Sequence, residues 1–86
     1  MVHTLTLYTT AGCHLCDQAE ALIWPQLASG QWRLQLVDIA QSDELIERYG
    51  VRIPVVAKMA EDDPSKVVAE LGWPFDSHQF AQFLRS

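Results

Sequence analysis

The sequence is poor in basic residues, with six Lys and Arg against eleven Asp and Glu, which gives a net charge of −5. Nucleic acids and anionic membrane surfaces are bound through basic patches, so this balance argues against either as the main partner. The apolar runs are far shorter than the roughly 20 residues of a membrane-spanning helix. The first residues also lack the charged start and apolar run of a secretion signal. We therefore expect a cytoplasmic protein with no nucleic-acid or membrane partner.

Cysteine is equally scarce, with only Cys13 and Cys16 in 86 residues. In a reducing compartment such a pair is rarely a structural disulfide and is more often catalytic or metal-binding. A zinc site needs four ligands, and the imidazoles of this chain are the scattered His3, His14 and His78. We therefore expect no metal site within one chain, while a site shared by two chains stays open. No bound cofactor is expected, and the chain is expected to be a monomer.

The composition is that of a globular domain, because 49% of the residues are apolar and 20% are charged. Such proportions argue against disorder. A chain of this length has room for one domain, residues 1–86, and buries about 60–65% of its unfolded surface.

The polarity pattern predicts an α/β fold with the element order β-α-β-α-β-β-α. Leu5 and Leu7 alternate with polar residues as in a strand, whereas the next apolar residues recur at helical spacing until Pro25 ends or kinks the helix. A strand, helix and strand of these lengths form a right-handed parallel unit. We expect a four-stranded mixed sheet with helices on both faces. The predicted strands are residues 3–9, 33–39, 55–59 and 66–71, and the helices begin near residues 13, 42 and 76.

The second helix has clear signals at both ends. Ser42 is a good N-cap, and Leu45, Ile46 and Tyr49 form a predicted buried stripe. Gly50 stands where a left-handed residue usually ends a helix.

The third helix has an equally clear start. Asp76 and Gln79 have the spacing of a capping box, and Phe75 and Phe80 have that of a hydrophobic staple. We expect Asp76 to be the N-cap.

The chemistry centres on Cys13-His14-Leu15-Cys16, in which the two cysteines lie within one helical turn and are close enough to form a disulfide. At a helix start, unpaired N–H groups and the helix dipole lower the pKa of Cys13 from about 8.5 toward roughly 3.5–7.5. Cys16, one turn further in, is expected to be less exposed, as suits a resolving thiol. A protonated His14 would favour the Cys13 thiolate, so His14 is a candidate tuning residue.

With this motif after the first strand and Val-Arg-Ile-Pro-Val at residues 51–55, the sequence resembles the thioredoxin superfamily, and within it compact glutaredoxin-like proteins. The resemblance spans essentially the whole chain. It implies a thioredoxin-like fold of glutaredoxin type and a cis proline at Pro54. It also implies that the backbone of Ile53 lies beside Cys13 and pairs with an extended substrate.

The sequence departs from the glutathione-using glutaredoxins at several positions. Thr10 replaces their lysine, which removes an attraction for this anionic tripeptide, and Arg52 is a candidate replacement. Trp73 replaces the second of two glycines and is a candidate to fill the groove they leave. Asp76 is a candidate to receive the glutathione amine or acts only as a cap. Residues 71–76 resemble a short glutaredoxin-like subgroup whose substrates are not established.

The sequence therefore predicts a thiol–disulfide oxidoreductase that reduces protein or glutathione mixed disulfides. Cys13 attacks, Cys16 resolves the mixed disulfide, and glutathione as co-substrate or a reductase restores the dithiol. Leu7 stands where thioredoxins proper have a buried aspartate, which favours glutaredoxin-like chemistry. Two alternatives stay open: a glutathione-assisted iron–sulfur or metal-binding module in a dimer, and a redox-inactive binding domain.

Overall fold

The computed structural model describes residues 3–28 and 30–85. The strands and helices follow the predicted order, with short 3₁₀ helices after α1 and after β2. The elements are β1 (His3–Thr9), α1 (His14–Ile23), β2 (Trp32–Asp38), α2 (Asp43–Tyr49), β3 (Val55–Met59), β4 (Val67–Gly72) and α3 (Ser77–Arg85).

The strands form one mixed sheet in the order β2-β1-β3-β4. β1 is parallel to β2, and the antiparallel pairs are β1 with β3 and β3 with β4. The predicted thioredoxin-like α/β architecture is therefore confirmed. Two strands are shifted by one residue. Ile39 leaves β2 because a 3₁₀ helix begins there, where the carboxylate of Asp38 accepts the N–H of Ala40 at 2.9 Å.

The sheet carries an apolar core on each face, because successive side chains of a strand point to opposite sides. The α1 and α3 side holds the larger core, and Tyr49 of α2 packs into the smaller one. The larger core comprises Leu5, Leu7, Ala19, Ile23, Leu27, Val56, Phe75 and Phe80, and the smaller comprises Tyr8, Ile39, Tyr49, Val55, Ala57 and Met59.

Two predictions about α2 are wrong. Gly50 is not left-handed but right-handed helical, at φ −52° and ψ −37°. Its role is steric instead, since a Cβ at this position would collide with the carbonyl oxygen of Ile46. The side chain of Ile46 is 45% exposed rather than buried, because a helix of seven residues presents only a narrow stripe to the sheet.

The helices of the described ranges 3–28 and 30–85 are short, and none has the length and apolar character needed to cross a membrane.

Candidate active site

Cys13 lies at the junction between β1 and α1. The strand ends at Thr9, and Gly12 then turns the chain with a φ of +78°, a left-handed conformation that glycine adopts without strain. The N–H of Cys13 donates to the carbonyl of Thr10 at 3.3 Å. Cys13 itself is the N-cap of α1, extended at φ −84° and ψ 101°. This turn sets the sulfur of Cys13 at the positive end of a helix.

The two cysteines are joined as a disulfide in the structure, with Cα atoms 5.2 Å apart. Cys16 is 1% exposed, whereas Cys13 is only half-buried. The backbone N–H of Cys16 donates to the sulfur of Cys13 at 3.1 Å. Such a bond favours the thiolate form of a cysteine over the thiol. Cys13 is therefore the more exposed cysteine and Cys16 the buried one, as the spacing predicted. Their catalytic roles remain predictions.

His14 is exposed on the first turn of α1. Asp17 lies on the same first turn, which therefore also carries a negative charge. The proposed tuning role of His14 stays a prediction.

Pro54 lies at the same end of the sheet as the cysteine turn. Tyr8 pairs with Val55 in antiparallel register, which brings Pro54 level with Thr9 at the end of β1. The Ile53–Pro54 peptide bond is cis, as the resemblance implied. The N–H of Ile53 donates to the carbonyl of Tyr49 at 3.0 Å. An extended substrate at this position would therefore have to pair with the carbonyl of Ile53 rather than with its N–H.

Arg52 forms an ion pair with Glu70, a residue that no local sequence pattern places near it. Its guanidinium donates to one carboxylate oxygen of Glu70 at 3.2 Å and lies 5.5 Å from the centre of the Tyr49 ring. The hydroxyl of Tyr49 donates to the other oxygen of Glu70. A signal for this contact was present, because the hydroxyl of a buried tyrosine usually needs a hydrogen-bond partner.

The surroundings of Tyr49 and Glu70 shift the pKa values of both side chains. Burial and then the bond to Glu70 raise the pKa of Tyr49 well above its ordinary value, so the phenol stays protonated. Burial opposes ionisation of Glu70, but hydrogen bonds from Tyr49 and Arg52 outweigh it and hold the pKa of Glu70 below its usual range. Glu70 is therefore an anion that accepts two hydrogen bonds.

Trp73 lies beside Pro54 and is half-buried. The backbone N–H of Trp73 donates to the carbonyl of Pro54 at 3.1 Å. The indole ring of Trp73 packs edge-on against the ring of Phe75, with the ring centroids 5.2 Å apart. The Trp73–Pro74 bond is a second cis peptide, which the sequence analysis did not predict. Trp73 is thus positioned at the rim next to Pro54, and its binding role stays a prediction.

Asp76 caps α3 as predicted. Its carboxylate accepts the N–H of Gln79 at 2.8 Å, and the side chain of Gln79 accepts the N–H of Asp76 at 2.9 Å. Phe75 and Phe80 stack at 6.0 Å as the predicted staple. The capping box is confirmed, and a contact with glutathione remains untested.

Over residues 3–28 and 30–85, no three His, Cys, Asp or Glu side chains are grouped closely enough to hold a metal ion.

Comparison with protein families matches residues 4–85 to the family described as Glutaredoxin-like domain (DUF836). A search of curated proteins finds no match. The chain is similar to the X-ray structure of the structural-genomics target protein XcR50 from X. campestris, with 37% identity and a TM-score of 0.72 over 94% of this chain and 95% of that chain.

Two more distant structures share the fold. Protein Ne2328 from Nitrosomonas europaea has 23% identity and a TM-score of 0.72, over 96% of this chain and 92% of that chain. A mutant thioredoxin from Halobacterium salinarum has 18% identity and a TM-score of 0.71, over 96% of this chain and 72% of that chain. The fold and the paired cysteines together support a redox-type function. The chain belongs to the glutaredoxin-like domain family and has the thioredoxin fold.

Proposed function

We propose that the protein is a dithiol oxidoreductase that reduces protein disulfides or glutathione mixed disulfides. The observation that carries the proposal is the contact between the Cys13 sulfur and the N–H of Cys16 at 3.1 Å, with Cys16 buried below. A thiolate at Cys13 would keep this donor and the dipole of α1. Cys16 lies within one turn, where it can reach the same sulfur.

The reaction balances in two exchanges. The Cys13 thiolate attacks one sulfur of the substrate disulfide, forms a mixed disulfide, and expels the other sulfur as a thiolate that takes up a proton. Cys16 then loses its proton and attacks the sulfur of Cys13, which releases the second substrate thiol. The substrate gains two electrons and the enzyme becomes the Cys13–Cys16 disulfide. Two glutathione molecules, oxidised to their disulfide, or a dithiol reductase return it to the reduced form.

The proposed substrate surface comprises the exposed Arg52, the half-buried Ile53 and Trp73, and the backbone of Pro54, whose side chain is fully buried. Pro54 lies at the cysteine end of the sheet, and Trp73 is hydrogen-bonded to it. The side chain of Arg52 is 47% exposed and belongs to the turn that leads into Pro54. It can therefore meet an anionic group of the substrate, such as a glutathione carboxylate.

The test compares Cys13→Ser with Cys16→Ser in the reduction of a glutathionylated peptide, with the protein analysed by alkylation and mass spectrometry. Cys13→Ser is expected to abolish turnover. With no free glutathione present, Cys16→Ser is expected to accumulate a glutathione adduct on Cys13, because the resolving thiol is absent. The proposal fails if Cys13→Ser keeps its rate or if no adduct forms.

The same experiment separates the dithiol route from a monothiol route. If Cys16→Ser turns over at the wild-type rate in the presence of glutathione, then glutathione rather than Cys16 resolves the intermediate. The dithiol route would then be wrong for this substrate, while the attacking role of Cys13 would stand.

A further inference from the structure

The carboxylate of Glu70 joins β4 to the turn that carries the proposed substrate surface. One oxygen accepts from the Tyr49 hydroxyl, and the other accepts from the Arg52 guanidinium at 3.2 Å. The side chain of Glu70 is 23% exposed and that of Arg52 is 47% exposed. Glu70 therefore forms the inner end of an ion pair whose outer end faces solvent.

Tyr49 holds the same turn in two further ways. Its carbonyl accepts the N–H of Arg52 at 2.8 Å and that of Ile53 at 3.0 Å. Its ring, 1% exposed, stacks on Tyr8 of β1 at 4.1 Å and lies under the guanidinium of Arg52. Because Tyr49 is fixed against the sheet, the carboxylate that its hydroxyl holds is fixed as well. Arg52 is thus held by a rigid acceptor on one side and a rigid aromatic face on another.

We propose that Glu70 is a positioning residue for substrate binding: its carboxylate, held by the Tyr49 hydroxyl, keeps the Arg52 guanidinium in place to receive an anionic group of the substrate disulfide. This inference rests on the proposed function. Glu70 acts through Arg52 and does not touch the reacting sulfurs in this role.

Two effects of Glu70 oppose each other. An unanchored arginine rotates freely, so a substrate would have to order it on binding. Glu70 removes that requirement. Its negative charge also repels a second anion, but Glu70 is the inner end of the ion pair, so an anion that meets the exposed part of Arg52 lies closer to the guanidinium than to the carboxylate. Positioning therefore dominates, and the loss of Glu70 weakens anion binding.

The experiment uses single-turnover oxidation of the pre-reduced protein, so that no anionic reductant competes. The two substrates are dithiodiglycolate, which carries two carboxylates, and the uncharged hydroxyethyl disulfide of similar length. In Glu70→Gln the amide oxygen can still accept from Tyr49, but the amide nitrogen cannot accept from Arg52. We expect the half-saturating concentration of dithiodiglycolate to rise about three- to ten-fold at an unchanged maximal rate. That of hydroxyethyl disulfide is expected to stay constant.

Three further variants test the route of the effect. Glu47→Gln removes the same charge from an exposed position on α2 and is expected to behave as wild type. Glu70→Asp keeps the charge but shortens the reach to Arg52, so positioning predicts weaker dithiodiglycolate binding whereas a pure charge effect predicts none. The double variant of Glu70→Gln with Arg52→Ala is expected to match Arg52→Ala alone, because Glu70 acts only through that side chain.

The inference is overturned if Glu70→Gln leaves the half-saturating concentration of dithiodiglycolate unchanged or lowers it. It is also overturned if both substrates are affected equally, since that would be a general effect on folding. These results are distinct from failure of the proposed function. In that case the reduced wild-type protein would not be oxidised by either disulfide.

Discussion

At Cys13 the reactivity of one sulfur depends on a few atoms of backbone. Gly12 turns the chain, Cys13 caps α1, and the N–H of Cys16 points at the Cys13 sulfur from 3.1 Å. An anion gains from both the hydrogen bond and the helix dipole, whereas a neutral thiol gains little. Cys16 has the opposite environment, because it is 1% exposed within the first turn.

We predict that the two thiols titrate in different ranges. In Cys16→Ser the remaining Cys13 is expected to have a pKa below the free-cysteine value of about 8.5. In Cys13→Ser the buried Cys16 is expected to titrate above it, since burial disfavours the charged form. Ultraviolet absorbance of the thiolate against pH measures both. Equal pKa values in the two variants would contradict the assignment of roles.

Among the helices, α3 allows the capping role of Asp76 to be separated from a role in substrate binding. Asp76 and Gln79 satisfy each other's N–H groups at the start of the helix. Asp76→Ala is expected to lower the free energy of unfolding by about 1 kcal/mol. In a domain of this size that corresponds to a fall in Tm of roughly 4–8 °C.

Asp76→Asn is the matched control, because asparagine caps a helix about as well as aspartate but carries no charge. If Asp76 is only a cap, Asp76→Asn keeps both the Tm and the affinity for glutathione mixed disulfides. A normal Tm together with a raised KM would instead show that the carboxylate contacts the substrate.

The hydrogen bond between Tyr49 of α2 and Glu70 of β4 leads us to predict a loss of stability at alkaline pH. Burial and the bond to Glu70 raise the pKa of Tyr49 in the folded state above the ordinary value of about 10. The stabilising effect is therefore complete below pH 10 and is lost as the pH rises above it, because the unfolded chain releases its proton first. Acid does not affect this phenol, which is protonated in both states.

We expect Tyr49→Phe to lower the free energy of unfolding by about 1.5–3 kcal/mol at neutral pH, through loss of a hydrogen bond to a charged group. Its stability is then expected to fall less steeply than that of wild type above pH 10. Urea unfolding at a series of pH values measures both effects. Parallel alkaline curves for the two proteins would contradict the prediction.

For the molecule as a whole, a core of few side chains must hold three helices to a four-stranded sheet. Phe80 is fully buried between α3 and the sheet and stacks on Phe75. Phe80→Ala is expected to lower the free energy of unfolding by about 3–5 kcal/mol. The whole free energy of unfolding of a small domain is only about 5–15 kcal/mol. We therefore expect Phe80→Ala to unfold at a much lower denaturant concentration.

Phe83→Ala is the comparison within the same helix. Its ring is half-buried, so its removal opens a smaller cavity and is expected to shift the denaturant midpoint less. Equal shifts for the two variants would show that α3 does not pack through Phe80 as the structure has it.

Local sequence was sufficient to predict most of the fold and part of the site. The alternation around Leu5 and Leu7, the capping box at Asp76 and the spacing of Cys13 and Cys16 involve residues within one strand or one turn. Such features depend on backbone geometry that neighbouring residues dictate.

Contacts between groups that lie far apart in sequence were decided by the tertiary structure alone. Glu70 reaches Arg52 and Tyr49 only because β4 pairs with β3 and α2 packs on the adjoining face. A lone glutamate in an apolar strand carries no local signal of its partners. Ile46 shows the converse, since helical spacing placed it in the core and the narrow contact of α2 left it exposed. Short-range sequence thus determined the elements and the cysteine turn, whereas long-range packing decided which charged groups of α2, β4 and the turn before β3 meet.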